Sequence, residues 1–108
     1  MKLNIYEKKN IVKTYTAETY DLMFGTVEDV AEAVNLDELK TGSDVEIMTM
    51  AGKLVMKSMS TVKELLKDIF DGLTDEELKN TKVAEIVQVV IDVVMYTMTE
   101  LGKGNSKN

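Results

Sequence analysis

The sequence contains no cysteine, no histidine, no proline and no arginine, since all 13 of its basic residues are lysines. Without cysteine there is no disulfide, no thiolate metal ligand and no cysteine nucleophile. The absence of histidine removes the commonest general base and the commonest ligand of transition metals. Lysine also lacks the rigid planar group with which arginine binds phosphates and guanine edges. These absences disfavour an enzyme, a bound cofactor and a metal site.

The charged residues give the 108-residue chain a formal net charge of −6. Because an acidic surface repels phosphates, we do not expect a nucleic-acid partner. The composition, 44% hydrophobic and 30% charged, is that of a folded protein, and the length fits a single domain, placed at residues 1–101.

The longest apolar stretch, residues 83–101, is interrupted by Glu85, Gln88, Asp92 and Glu100. A membrane-spanning helix does not tolerate so many polar groups, so no membrane partner is expected. Met1 is followed by alternating polar and apolar residues, without the basic start and apolar block of a signal peptide. The expected location is the cytoplasm.

Residues 2–16 are predicted to form a β-hairpin. Leu3 and Ile5 alternate with other side chains, a polar turn follows at residues 7–10, and residues 11–16 are rich in β-branched and aromatic types. A lone hairpin is marginally stable in water, so it must pack on helices or pair with another chain.

Three main helices are predicted after the hairpin from the spacing of apolar residues, which makes the fold class α+β and mainly helical. We place them at about residues 19–34, 43–70 and 81–101, with a flexible polar tail over residues 102–108. The polar cluster at residues 58–61 is expected to break or kink the second helix.

Three pairs of residues are predicted to form a capping box, in which a hydroxyl and a carboxylate three residues apart bind each other's backbone amides. They are Ser43 with Glu46, Thr61 with Glu64, and Thr74 with Glu77. The last pair is expected to open a short turn at residues 75–79.

The last helix is apolar around most of its circumference. Between Val83 and Met98 polar side chains are few, and Glu85, Gln88, Asp92 and Thr99 form one narrow stripe. Two alternatives follow for the remaining surface. Either the hairpin and the earlier helices bury it completely, or part of it binds a second copy or a client protein.

Methionine is frequent, with eight residues in this short chain. Its flexible thioether fills irregular gaps in cores, and it also suits surfaces that accept varied apolar partners. The residues that we predict to bind protein combine these methionines with one side of the last helix: Met48, Met56, Met59, Val87, Val90, Val94 and Met98.

The acid-rich run at residues 68–77 does not have the spacing of a calcium loop. With Gly72 as the sixth position of an EF-hand, positions one, three and twelve would be Lys67, Ile69 and Leu78, and none of them is a carboxylate. Acids at the start of a helix explain residues 75–77 more simply. We therefore expect no metal and no cofactor.

Residues 62–78 resemble the middle of tail assembly chaperones from siphophages and prophages of Gram-positive hosts. In that family a helix ends in an apolar–Phe–x–Gly turn, here Ile69-Phe70-Asp71-Gly72, and leads to a short acidic helix. An apolar C-terminal helix follows, to which residues 83–94 are similar. The start of the chain, residues 3–17, is also similar to the start of these proteins.

The resemblance implies a non-enzymatic role in the host cytoplasm. Such chaperones bind the long tape measure protein and keep it soluble while the phage tail assembles, and they are absent from the mature virion. The implied partners are the tape measure protein, with the tail tube protein as a further candidate, and other copies of the same chain. The alternative is a small acidic adaptor or regulatory phage protein that self-associates without a client.

Overall fold

A hairpin opens the fold, as the sequence predicts. The computed structural model describes residues 1–33 and 43–106, with side chains as far as Thr99. Strand β1 (Lys2–Glu7) pairs antiparallel with β2 (Asn10–Thr16). Leu3 and Ile5 of β1 are buried, whereas β2 is exposed except at the half-buried Tyr15. One face of the hairpin therefore packs on the helices, which satisfies the need of a two-stranded sheet for support.

Helices account for most of the remaining described chain, so the mainly helical α+β fold is confirmed. A 3-10 turn (Thr19–Asp21) is followed by the helices α1 (Phe24–Ala33), α2 (Asp44–Lys57), α3 (Met59–Ile69), α4 (Asp75–Leu78) and α5 (Val83–Ser106).

The first helix begins at Phe24, not at residue 19 as expected. Thr19–Asp21 forms only a 3-10 turn, and Leu22 after it is extended with a ψ of 133°, which interrupts the helical hydrogen bonds. The apolar spacing does not reveal this interruption, because Met23 precedes Val27 by four residues as it would in a continuous helix. The predicted last residue, Val34, lies outside the described residues.

The predicted helix over residues 43–70 is two helices, and Ser58 separates them. Its φ of −132° and ψ of 54° lie outside the helical region, so α2 ends there and α3 begins at the next residue. The break falls in the polar cluster where it was expected. It allows α2 and α3 to pack against each other, each burying its own apolar side.

Two of the three predicted capping boxes form, whereas Thr61 lies inside α3, which begins at Met59 with Ser58 as an N-cap that makes no side-chain hydrogen bond. Oγ of Ser43 accepts the Glu46 amide at 3.2 Å, and Oγ1 of Thr74 accepts the Glu77 amide at 3.1 Å. In return, each glutamate carboxylate accepts the amide of its serine or threonine partner. Between α3 and α4, Gly72 adopts a φ of 89°, which glycine reaches without steric cost.

Helix α5 differs from its predicted bounds at both ends. It starts at Val83 instead of residue 81, and it continues to Ser106 through much of the segment that was expected to be a flexible tail. Gly102 and Gly104 lie in this segment, and a glycine lowers helix stability by about 1 kcal/mol. However, each residue added to an existing helix gains a hydrogen bond without a new nucleation step. Residues 107–108 lie outside the described part of the chain.

The core surrounds α5, against which β1, α1 and α2 pack. Its largest fully buried apolar side chains come from the hairpin, α5 and the end of α3: Leu3, Leu66, Phe70, Val89, Val90, Val93 and Val94. Thr97 is also fully buried, and its hydroxyl donates to the Val93 carbonyl at 2.8 Å. Tyr15 from the hairpin packs against the Phe70 ring with their centroids 6.1 Å apart.

Candidate protein-binding surface

Helix α5 is covered along most of its apolar surface, so the structure favours the core role over the binding role for this helix. Val90 and Val94, which we predicted to bind a partner, are fully buried among the core residues and are not presented by the folded chain. Val87 and Met98 are half-buried and pack against the same core. The prediction is thus corrected for Val90 and Val94, because the hairpin, α1 and α2 already occupy that side of α5.

Three of the four methionines predicted to bind protein are exposed, in contrast to Val90 and Val94. Met48, Met56 and Met59 are 58%, 80% and 62% exposed, and Val45 beside them is 74% exposed. We call these four side chains the methionine face. Because these side chains remain in water, the folded chain does not gain the free energy of their burial, which is about 1.5–3 kcal/mol for a fully buried side chain of this size.

Helix α2 is apolar on two sides, which explains the methionine face. Ile47, Ala51 and Leu54 form its buried side. Val45, Met48 and Met56 recur at spacings of three and eight residues and therefore share a different side of the helix. Gly52 lies on that exposed side, and a Cβ added there would meet nothing within 4 Å. Because Gly52 has no side chain, another helix can approach α2 closely at this position.

A groove of about 300 Å³ lies between α3, α4 and the start of α5, and Val55 of α2 also lines it. Its walls are mainly apolar and include Val62, Leu66 and Leu78. Met59 and Val83, both more than 60% exposed, stand among its lining residues. Met59 is thus both an exposed methionine and a lining residue of the groove.

Charged residues border the groove. Lys63, Asp75 and Lys79 are among its lining residues, and Nζ of Lys67 pairs with Oδ1 of Asp75 at 2.6 Å. The hydrogen bond from Lys67 is the main reason why the pKa of Asp75 lies below its ordinary value of 3.8, and the positive charges of Lys63 and Lys79 act in the same direction. The border is therefore positive, although the chain as a whole is acidic.

Two glutamates hold the hairpin against the groove wall. Oε1 of Glu77 in α4 accepts a hydrogen bond of 2.6 Å from the Tyr15 hydroxyl, and its Oε2 pairs with Lys13 at 3.1 Å. Glu85 in α5 accepts the Asn4 amide at 3.0 Å and also the Tyr6 hydroxyl. The sequence indicates a capping role for Glu77 and a place in a polar stripe for Glu85. It does not reveal these contacts, because their partners are more than 60 residues away in the chain.

A second group of exposed apolar residues surrounds the start of α1. Tyr20, Met23 and Phe24 are largely exposed, as are Ile11 and Val12 of β2. By its spacing from Val27 and Val30, Met23 would share one side of the first helix with them. The turn at residues 19–21 and the extended Leu22 instead leave Met23 outside α1.

Within residues 1–33 and 43–106, no helix is long and apolar enough to cross a membrane. The same described residues contain no group of three or more acidic side chains that could hold a metal ion. Comparisons with protein-family models, with curated proteins and with solved structures find no match for this chain.

Proposed function

We propose that this protein is a non-enzymatic chaperone that binds apolar segments of another protein, and that its client is the tape measure protein of a long-tailed phage. The observation that carries the proposal is the methionine face, whose members are at least 58% exposed on the described chain. Met48 and Met56 occupy one side of a single helix, so a client can contact both at once.

The chemistry of the methionine face suits reversible binding of irregular partners. Unbranched thioether side chains adapt to different apolar shapes, which supports binding without strict sequence selection. A net charge of −6 keeps a protein with such a surface soluble. A client that covers the face gains hydrophobic free energy, and a competing assembly partner can displace it.

The order of elements in the second half of the chain also supports this family assignment. Residues 62–78 form the end of α3, the turn at Gly72 and the short acidic helix α4, and the apolar α5 follows. This is the order that the resemblance to tail assembly chaperones implies.

The alternative is a self-associating adaptor without a client, and the outer edge of β2 favours it. In β1, the amides of Asn4 and Tyr6 are bound by Glu85 and by the Asn80 carbonyl. No third strand pairs with β2 in the described part of the chain, and its Ile11 and Val12 are exposed. An uncovered edge of this kind can pair with a strand of a second copy.

Co-expression with the tape measure protein tests the chaperone proposal. We expect the wild-type chain to increase the soluble yield of the tape measure protein, and the triple variant M48Q/M56Q/M59Q to lose most of that increase. M95Q is the matched control, because Met95 is also exposed but belongs to α5 and not to the methionine face. An unchanged yield with the wild-type chain would refute the proposal. If the chain self-associates but does not change the soluble yield of the tape measure protein, the result supports the adaptor alternative.

A further inference from the structure

The groove between α3, α4 and α5 has the charged residues Lys63, Asp75 and Lys79 among its lining. Asp75 is already paired with Lys67. Lys63 and Lys79 form no ion pair with any residue in the described ranges, and they remain as positive charges beside an apolar wall. We propose that this groove binds an amphipathic helix of a partner protein that carries carboxylates next to its apolar residues. The inference rests on the proposed function, since it names the kind of client segment that this part of the surface selects.

Charge complementarity determines the chemistry of the occupant. A segment flanked by glutamates or aspartates places its carboxylates near Lys63 and Lys79, whereas a segment flanked by lysines is repelled there. On a chain with a net charge of −6, general electrostatic attraction would favour a basic segment instead. A preference for acidic flanks would therefore come from the border of the groove and not from the total charge of the protein.

The size and lining of the groove suit the apolar side of a helix. Its volume of about 300 Å³ accommodates a few side chains, and its walls include Val62, Leu66 and Ile86. Val83, which is 67% exposed, offers contact area at the start of α5. An amphipathic helix presents apolar anchors at intervals of three and four residues on one side and holds carboxylates beside them, which is the usual pattern for docking into such grooves.

Titration with synthetic peptides measures this selectivity. Two fluorescent peptides of the same length carry identical leucine anchors at helical spacing, and they differ only in flanking glutamates or flanking lysines. We expect fluorescence anisotropy at low salt to give at least about tenfold tighter binding for the glutamate peptide. The difference should shrink as salt is added, because the lysines at the groove are exposed to solvent.

Charge reversal assigns the preference to the groove. K63E/K79E should weaken binding of the glutamate peptide about tenfold and remove its advantage over the lysine peptide. K53E/K57E is the matched control, because it makes the same change of net charge at two exposed lysines of α2 that do not line the groove. V83Q should weaken both peptides, because it removes an apolar contact at an exposed position whose substitution leaves the core intact.

Three results would overturn the inference. The first is equal binding of the two peptides, and the second is an equal effect of K63E/K79E and K53E/K57E. The third is self-association of the wild-type chain in sedimentation experiments that K63E/K79E abolishes, which would make a second copy the occupant. If neither peptide binds while the tape measure protein is still solubilised, the groove proposal is refuted and the chaperone proposal is not. If the glutamate peptide binds but co-expression has no effect, the chaperone proposal falls and the groove assignment stands.

Discussion

The hydroxyl of Tyr15 donates a 2.6 Å hydrogen bond to Oε1 of Glu77, across 62 residues of sequence. The same carboxylate oxygen accepts the amide of Thr74 at 3.1 Å and thereby completes the capping box of α4. Glu77 thus fixes the start of α4 and attaches the hairpin to it. Because Leu78 of α4 lines the groove, the hairpin stabilises one wall of the candidate binding surface.

The first prediction concerns pH. The hydrogen bond from Tyr15 is the largest cause that lowers the pKa of Glu77 below its ordinary value of 4.5, and Lys13 adds to it. A carboxylate with a lowered folded pKa stabilises the fold above its unfolded pKa, and this contribution is lost as the pH falls through the folded pKa. We expect the free energy of unfolding to decrease below about pH 4.5, with Asp75 contributing in the same direction below 3.8.

E77Q is the variant that isolates this charge, since glutamine retains the capping geometry. It should be less stable than the wild type at pH 7, and the difference should shrink below about pH 4.5 as Glu77 becomes protonated in the wild type. Urea unfolding followed by circular dichroism across pH 3–7 measures both stabilities. A constant difference over that range would show that the charge of Glu77 does not stabilise the fold.

The second prediction concerns Phe70, which is 1% exposed where α3 ends. F70A removes a large buried ring and leaves a cavity, so we expect a loss of about 3–5 kcal/mol in the free energy of unfolding. That is a large share of the about 5–15 kcal/mol of a typical domain. F70L should lose less, because it fills more of the same space. Urea denaturation compares the variants, and a loss below about 1 kcal/mol for F70A would contradict the described core.

The third prediction concerns Thr97, a fully buried polar residue of α5. Its hydroxyl donates to the Val93 carbonyl, which in a helix also accepts the amide four residues later, so removal of the hydroxyl leaves no unpaired acceptor. We expect T97V to be neutral or stabilising by up to about 1 kcal/mol. T97S keeps the hydroxyl but loses a buried methyl group and should cost about 1 kcal/mol. A T97V variant less stable than T97S would contradict this burial.

The sequence correctly predicts the hairpin, two of three capping boxes and the mainly helical fold because each depends on residues close together in the chain. The alternation of Leu3 and Ile5 with other side chains indicates a strand. The spacing of Thr74 three residues before Glu77 indicates a capping box. Helix boundaries that depend on a single dihedral angle are less evident. At Leu22 no change of apolar periodicity marks the interruption.

The exposed apolar residues of the candidate binding surface could be predicted only in part, because periodicity alone does not say which apolar side of a helix faces the core. Met48 and Val90 both belong to apolar sides of helices, yet one is exposed and the other is fully buried. Their difference arises from the packing of β1, α1 and α2 on α5, which depends on contacts between distant residues. The pairing of Glu85 with β1 has the same origin.

Site-specific photo-crosslinking tests the central claim, binding through the methionine face, most directly. A photoreactive side chain is placed at position 56 or, as control, at position 95, in cells that also produce the tape measure protein. Met56 is 80% exposed on the methionine face, and Met95 is 44% exposed on α5. The proposed function predicts a crosslink to the tape measure protein from position 56 and little or none from position 95. Crosslinks of equal yield from both positions, or none from position 56, would contradict it.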